Sequence, residues 1–172
     1  IGLTKFKIEG RADVEKLTSL PVIGDIPLAD EKSGSIAVFE NQNNLMSETF
    51  RNVRTNLQFM LENGKNVILV TSTISGEGKS FISANLAISL SLLGKKVVIV
   101  GLDIRKPGLN KVFNIPKKEH GITQYLTNTT ANLMDFVQPS DINKNLFILP
   151  GGTVPPNPTE LLARGGLEKA IE

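Results

Sequence analysis

The sequence predicts an α/β fold with parallel strands, and three observations predict it. Residues 67–72 (VILVTS) and 97–103 (VVIVGLD) are apolar runs that turn polar at their ends. Strands buried on both faces of a parallel sheet have this pattern. Between them lies a helix-length segment, about 79–93, closed by Gly94. A glycine-rich turn, STISGEGKSF at 72–81, joins the first run to that helix. Together they make one β–α–β unit of ordinary size, right-handed by the general rule for such crossovers.

Length and composition agree with this class. The chain has 172 residues, 40% of them hydrophobic and 21% charged. A single domain of that size buries roughly two-thirds of its surface. The apolar content and a net charge of only +2 argue against disorder. No apolar run approaches the roughly 18 residues of a membrane-spanning helix, and no apolar leader segment opens the chain. Cysteine is absent, which excludes disulfides, Cys-ligated zinc and a thiol nucleophile, and suits the cytosol. The single histidine, His120, argues against a His-based metal site and a Ser-His-Asp triad.

The elements follow in order. Residues 1–19 mix charged and apolar positions and predict a short helix from Asp13. Residues 20–43 hold Pro21, Gly24, Pro27, Gly34 and an Asn-rich end, so they read as an extended arm or linker. The next segment, 44–63, is an amphipathic helix: Met46, Phe50, Val53, Leu57 and Met60 recur at helical spacing, and Gly64 is placed to end it. After the β–α–β unit, 104–145 reads as short helices and loops. LFILP at 146–150 is a third strand. Asn157 as N-cap, Pro158 at the first helical position and Glu160 two further on predict a capping-box helix start. The arm, 1–43, and a domain from 44 to 172 are the two parts.

Charge is uneven. Residues 41–115 hold nine Lys/Arg against four Asp/Glu, whereas both flanks are slightly acidic. The middle segment therefore suits a polyanion, or is simply a solvated face. Nucleic acid would call for a larger basic excess with interleaved aromatics, and aromatics are only 5% here.

The turn at 72–81 carries the chemistry. A phosphate needs several backbone N–H donors pointing inward. Gly76 and Gly78 let the chain curl to supply them, and the following helix start adds partial positive charge. Lys79 is placed to reach the β- and γ-phosphates, and the Ser80 hydroxyl to ligate Mg²⁺. The pattern G-x-x-x-x-G-K-[ST] has Gly at its first place, where this chain has Thr73. Asp103 ends the next strand at the sheet edge where ligands bind, and a carboxylate there can hold Mg²⁺ directly or through water. Arg105 and Lys106 follow, to neutralise phosphate or to face solvent.

STISGEGKSF, GLDIRKP and PPNPTELL, in this order and spacing, resemble the bacterial tyrosine kinases of capsule and exopolysaccharide synthesis. The resemblance runs from about Asp13 to the end. It implies a three-layer, P-loop NTPase-like parallel sheet with helices on both faces. It also implies ATP with Mg²⁺, transfer of the γ-phosphoryl to tyrosines of neighbouring subunits, and a place at the cytoplasmic face of the bacterial inner membrane beside a membrane-bound polysaccharide co-polymerase. Gly76, Glu77, Gly78, Lys79, Ser80 and Phe81 would bind nucleotide, Ser80 and Asp103 the metal, and Lys79, Asp103 and Arg105 would serve transfer. Glu48, Arg51 and Arg54 match the family's E-x-x-R-x-x-R ring-forming element. A helical wheel turns them away from the apolar stripe, free to pair with a neighbour.

Four departures qualify the resemblance. The family's D-x-D-x-R motif reads Gly101-Leu102-Asp103-Ile104-Arg105, so its first Asp is absent. Ser75 stands where Pro is usual. No apolar strand ending in D-x-x-P follows residue 160, and no tyrosine cluster is present; Tyr125, the single tyrosine, reads as a packing residue. The sequence thus predicts a domain that stops inside the helix begun at Pro158, with its activity limited to nucleotide binding. Two other readings stand beside it: a non-catalytic scaffold whose oligomeric state answers to nucleotide, and a partitioning or site-selection ATPase. The latter carries a signature Lys where this chain has Ile74.

Overall fold

The computed structural model describes residues 7–29, 34–61, 66–116, 120–128 and 130–172. Helix α1 spans Arg11–Leu17, two residues ahead of the expected start. Helix α2 spans Leu45–Met60. The Asn44 side chain caps it, accepting from the Ser47 N–H at 2.8 Å. Its expected terminator, Gly64, lies outside the described residues. Helix α3 spans Lys79–Ser91. Gly94 closes it at φ +78, its N–H donating to the Ser91 carbonyl at 3.0 Å.

Strand β1, Val97–Val100, is followed by α4, Leu109–Val112, and α5, Ile122–Thr127. A 3₁₀ turn at Leu133–Asp135 precedes the short strand β2, Gln138–Pro139. Strand β3 is Leu146–Leu149, and α6, Pro158–Ala163, and α7, Gly166–Ile171, complete the chain. Pro158 opens α6 as expected, but the Asn157 side chain makes no cap bond.

The sheet has the order β1-β3-β2. β1 and β3 are parallel, Val97 opposite Leu146 and Val100 opposite Leu149. β2 joins β3 antiparallel, so the sheet is mixed. Pro139 is tolerated there because the strand lies at an edge.

One expected element is absent. Residues 67–72, expected as a strand, run without secondary structure, and Val67 and Leu69 are 63% and 81% exposed. An apolar run becomes a strand only when its N–H and C=O groups meet a neighbouring strand. Here β1 pairs with β3, and among the described residues nothing pairs with 67–72. Val98 and Val100 consequently remain more than a third exposed, where a fully buried strand was expected.

Alternation along β3 divides the core. Leu146 and Ile148 join Ile99, Phe50, Val53 and the inner side of α3 in one cluster. Leu149 joins Ile104, Ile122, Leu126 and Leu161 in a second cluster built with α5 and α6. Helices thus cover both faces, with α3 between the sheet and α2. Tyr125 packs at the edge of the second cluster, the role expected of it.

The arm before α2 is not a free linker. Ala37 and Val38 are buried, and Val38 belongs to the main cluster. Asn85, fully buried on α3, accepts from the Ala37 and Val38 N–H groups at 2.7 and 3.0 Å. Its amide donates to the Ser35 and Phe81 carbonyls at 3.0 and 2.8 Å. One side chain therefore satisfies the backbone of a strap that sheet pairing leaves alone.

Candidate functional site

The glycine-rich turn and the segment after β1 meet at one end of the sheet. Gly76 and Gly78 adopt φ +96 and +90, a left-handed conformation that costs other residues energy. Gly78 then serves as the N-cap of α3. The first bond across that boundary runs from the Ile82 N–H to the Gly78 carbonyl at 2.9 Å. The N–H groups of Lys79, Ser80 and Phe81 thus precede any intrahelical partner. They point along the axis with the positive end of the helix dipole, the arrangement that binds phosphate.

The Lys79 ammonium lies 3.7 Å from a carboxylate oxygen of Asp103. The other Asp103 oxygen accepts from the Lys106 N–H at 3.1 Å, which fixes the carboxylate on its turn. Ser80 is exposed beside Lys79, while Arg105 and Lys106 are exposed on the outer side of the turn. The Phe81 ring points away from the loop, its centroid 5.9 Å from that of Phe50. Phe81 therefore offers the site only its backbone.

Glu77 is exposed, but its carboxylate is engaged by the loop's own donors. It accepts from the Thr73 N–H at 2.9 Å, from the Ile74 N–H at 3.2 Å and from the Thr73 hydroxyl at 2.9 Å. These bonds, led by that from Ile74, hold its carboxyl below the ordinary range, and Lys79 adds a smaller pull.

Lys79, Ser80 and Asp103 stand at one end of an open groove of about 1030 Å³. Leu69, Leu86, Leu90, Val98 and Val100 line its length, because residues 66–71 stand off from β1. No trio of His, Asp or Glu side chains suited to a metal occurs among the described residues. The donor set fits Mg²⁺ that arrives with a nucleotide, since this ion keeps waters and phosphate oxygens and needs only one or two protein oxygens.

Gly101, which stands at the place of the D-x-D-x-R motif's first Asp, is sterically confined. A Cβ there would stand 3.0 Å from the Gly151 nitrogen and 3.1 Å from a Leu109 methyl. The departure is therefore accompanied by a close passage of the loop after β3.

The α2 triad is only partly as expected. Glu48 and Arg51 lie on the outer face and pair with each other at 2.6 Å. Arg54 is not free. Its guanidinium donates to the Ser89 carbonyl at 2.8 Å and reaches the Ser89 hydroxyl at 3.3 Å. It follows Phe50 by four residues, so it sits only about 40° around the helix from a buried side chain. Burial lowers its affinity for the proton, with a smaller contribution from Arg51.

Two arrangements in and around the site had no sequence signal read for them. Asn85 appeared as one polar residue in an apolar helix. The Thr73–Glu77 bonds lay hidden inside a pattern that specifies neither residue.

Residues 63–146 match the family model described as NUBPL iron-transfer P-loop NTPase, of the ParA group. Tyrosine-protein kinase CpsD of Streptococcus agalactiae is 37% identical over 125 residues, covering 73% of this chain and 53% of that protein. Tyrosine-protein kinase YwqD of Bacillus subtilis is 38% identical over 120 residues, covering 69% and 49%. The chain thus spans about half the length of these curated relatives. Among solved structures, the chimerical protein CapA2B2 is 34% identical with a TM-score of 0.80, covering 92% of this chain and 67% of that one. The kinase domain of Escherichia coli tyrosine kinase ETK is 25% identical with a TM-score of 0.81, covering 96% and 68%.

Proposed function

This chain belongs to the bacterial P-loop tyrosine kinase family, and we propose that its site binds MgATP for the phosphorylation of tyrosine in capsule and exopolysaccharide synthesis and export. The observation that carries the proposal is the 3.7 Å approach of Lys79 to Asp103 at the mouth of the glycine loop. It sets a cation for the terminal phosphates beside a carboxylate for the metal. The backbone N–H groups from Gly76 to Phe81 cradle the phosphates. Lys79 would neutralise charge on the transferring group, and Ser80 and Asp103 would hold the Mg²⁺ that arrives with the nucleotide. Arg105 stands on the same turn as a further cation. Bound MgATP supplies the γ-phosphoryl group, and the acceptor is a tyrosine of a neighbouring copy. Such transfer depends mainly on positioning and charge stabilisation, so this constellation can support it without a strong base.

The whole protein works as a ring-type homo-oligomer at the cytoplasmic face of the bacterial inner membrane, beside a membrane-bound polysaccharide co-polymerase. Within the described residues no helix is long and apolar enough to cross a membrane. The exposed Glu48–Arg51 face of α2 is the proposed oligomer contact, with Arg54 bracing the helix from behind. Nucleic acid is not a partner.

Titration calorimetry with MgATP tests the nucleotide site. Binding by the wild type and its loss in Lys79→Met is the expected result; equal heats from both proteins defeat the assignment. Phosphotyrosine detection in the full-length protein, with and without Lys79→Met, then tests transfer. A second reading, a non-catalytic scaffold responsive to nucleotide, draws support from Gly101, whose surroundings leave little space for an acid. The match to the ParA group keeps a related ATPase as a further alternative, with Ile74 at the signature-Lys position against it.

A further inference from the structure

Thr73 occupies the place where the phosphate-loop pattern has glycine. Its backbone is ordinary all the same: the positive φ values of the loop fall on Gly76 and Gly78. The loop therefore takes its shape from two glycines and some other restraint. One carboxylate supplies that restraint. Glu77 gathers the N–H groups of Thr73 and Ile74 and the Thr73 hydroxyl, at 2.9, 3.2 and 2.9 Å. A second contact from the Thr73 hydroxyl reaches the other carboxylate oxygen at 3.0 Å.

We propose that the Glu77 side chain is a positioning residue for nucleotide: by clasping Thr73 and Ile74 it holds the loop open to phosphate, in the role the pattern gives to a glycine at the Thr73 place.

Two physical consequences support this. First, hydrogen bonds to an ionised carboxylate are stronger than neutral ones, and several on one group restrict the loop more than separate bonds would. Ordering the loop beforehand lowers the cost of ordering it around a ligand. Second, the clasp engages a negative charge that would otherwise stand loose beside an anion seat, where like charges repel. It also occupies the Thr73 and Ile74 donors, which leaves the phosphates to the N–H groups from Gly76 onward. The carboxyl, held below its ordinary range, keeps the clasp ionised at neutral pH.

The inference rests on the nucleotide reading above, and its test separates the two. MgATP affinity is measured by calorimetry for wild type, Thr73→Ala, Glu77→Gln, Glu77→Ala and the Thr73→Ala/Glu77→Ala double variant. Glu77→Ala is expected to weaken binding roughly five- to tenfold, and the double variant no more than that, since the two residues act as one unit. Glu77→Gln, which keeps one acceptor oxygen, falls between. Thr73, Ile74 and Glu77 are exposed, so thermal stability should barely change while affinity drops. Unchanged affinity in Glu77→Ala, or losses that simply add, overturn the proposal. Amide hydrogen exchange without nucleotide decides the clasp independently. Thr73 and Ile74 should be protected in the wild type and unprotected in Glu77→Ala; fast exchange of both amides in the wild type also overturns it. Should the wild type fail to bind MgATP while these amides are protected, the nucleotide reading falls, and the positioning role falls with it.

Discussion

The Lys79 ammonium and the Asp103 carboxylate, 3.7 Å apart, join the first residue of α3 to the turn that leaves β1. Both side chains are partly exposed, so the pair adds little to stability by itself. Its significance is positional, because it brings two separated motifs to one point.

Asp103→Asn should therefore discriminate between forms of the nucleotide. We expect MgATP affinity to fall on the order of tenfold, about 1.4 kcal/mol. Affinity for ATP with EDTA should stay level or rise, because Lys79 loses a competing partner. Calorimetry with and without Mg²⁺ checks this. Equal losses in both conditions contradict a metal-linked carboxylate.

Gly101→Asp would place the family's usual acid in the motif. The structure predicts harm rather than gain. The new Cβ meets the Gly151 backbone at 3.0 Å, and overpacking of this kind costs about 1–3 kcal/mol. Chemical denaturation should show the loss, and Gly101→Ala should share most of it.

Asn85→Ala should be among the most damaging substitutions. It leaves the buried N–H groups of Ala37 and Val38 without their acceptor. Two such orphaned groups cost about 2–6 kcal/mol together. The same variant should release residues 35–38 to protease and to rapid amide exchange.

Arg54 and Arg51 should separate folding from assembly. Arg54→Ala removes a half-buried stem and its bonds to Ser89, destabilising the protomer by about 1–2 kcal/mol. Arg51→Ala breaks an exposed pair with Glu48, so its effect on stability stays within about 0.5 kcal/mol. Sedimentation should find assembly weakened by Arg51→Ala. No change in oligomeric state would remove the outer face of α2 from the proposed interface.

Acid should undo the Glu77 clasp. A carboxyl held below its ordinary value stabilises the folded state fully above that value, and the contribution fades as pH falls through the lowered one. The difference in Thr73 and Ile74 amide protection between wild type and Glu77→Gln should thus be constant above roughly pH 5 and shrink below the ordinary Glu value of 4.5. A difference that grows on acidification contradicts the clasp.

Local pattern made much of the fold legible. The period of α2 identified Phe50 and Val53 as core residues, and both are buried. Gly94 and Pro158 marked helix boundaries that the structure keeps. The glycine loop ahead of α3 was readable because its chemistry depends on residue type at fixed spacing. Residues 67–72 were misread as a strand because apolar character reports a wish for burial, while a strand also requires a partner. The Arg54 position was misread for a related reason: a helical wheel locates a residue on its own helix, not the neighbour that its long side chain reaches.

By itself the sequence determined where the main helices form, where the chain turns, and which residues are candidates to meet a phosphate. Those properties depend on spacing, cap chemistry and the left-handed freedom of Gly76 and Gly78. Only the tertiary structure decided that Asn85 fastens the arm, that Gly151 crowds Gly101, that Ser89 holds Arg54, and that Lys79 meets Asp103. Each of these joins residues far apart in the chain, and no local preference encodes which distant groups folding will bring into contact.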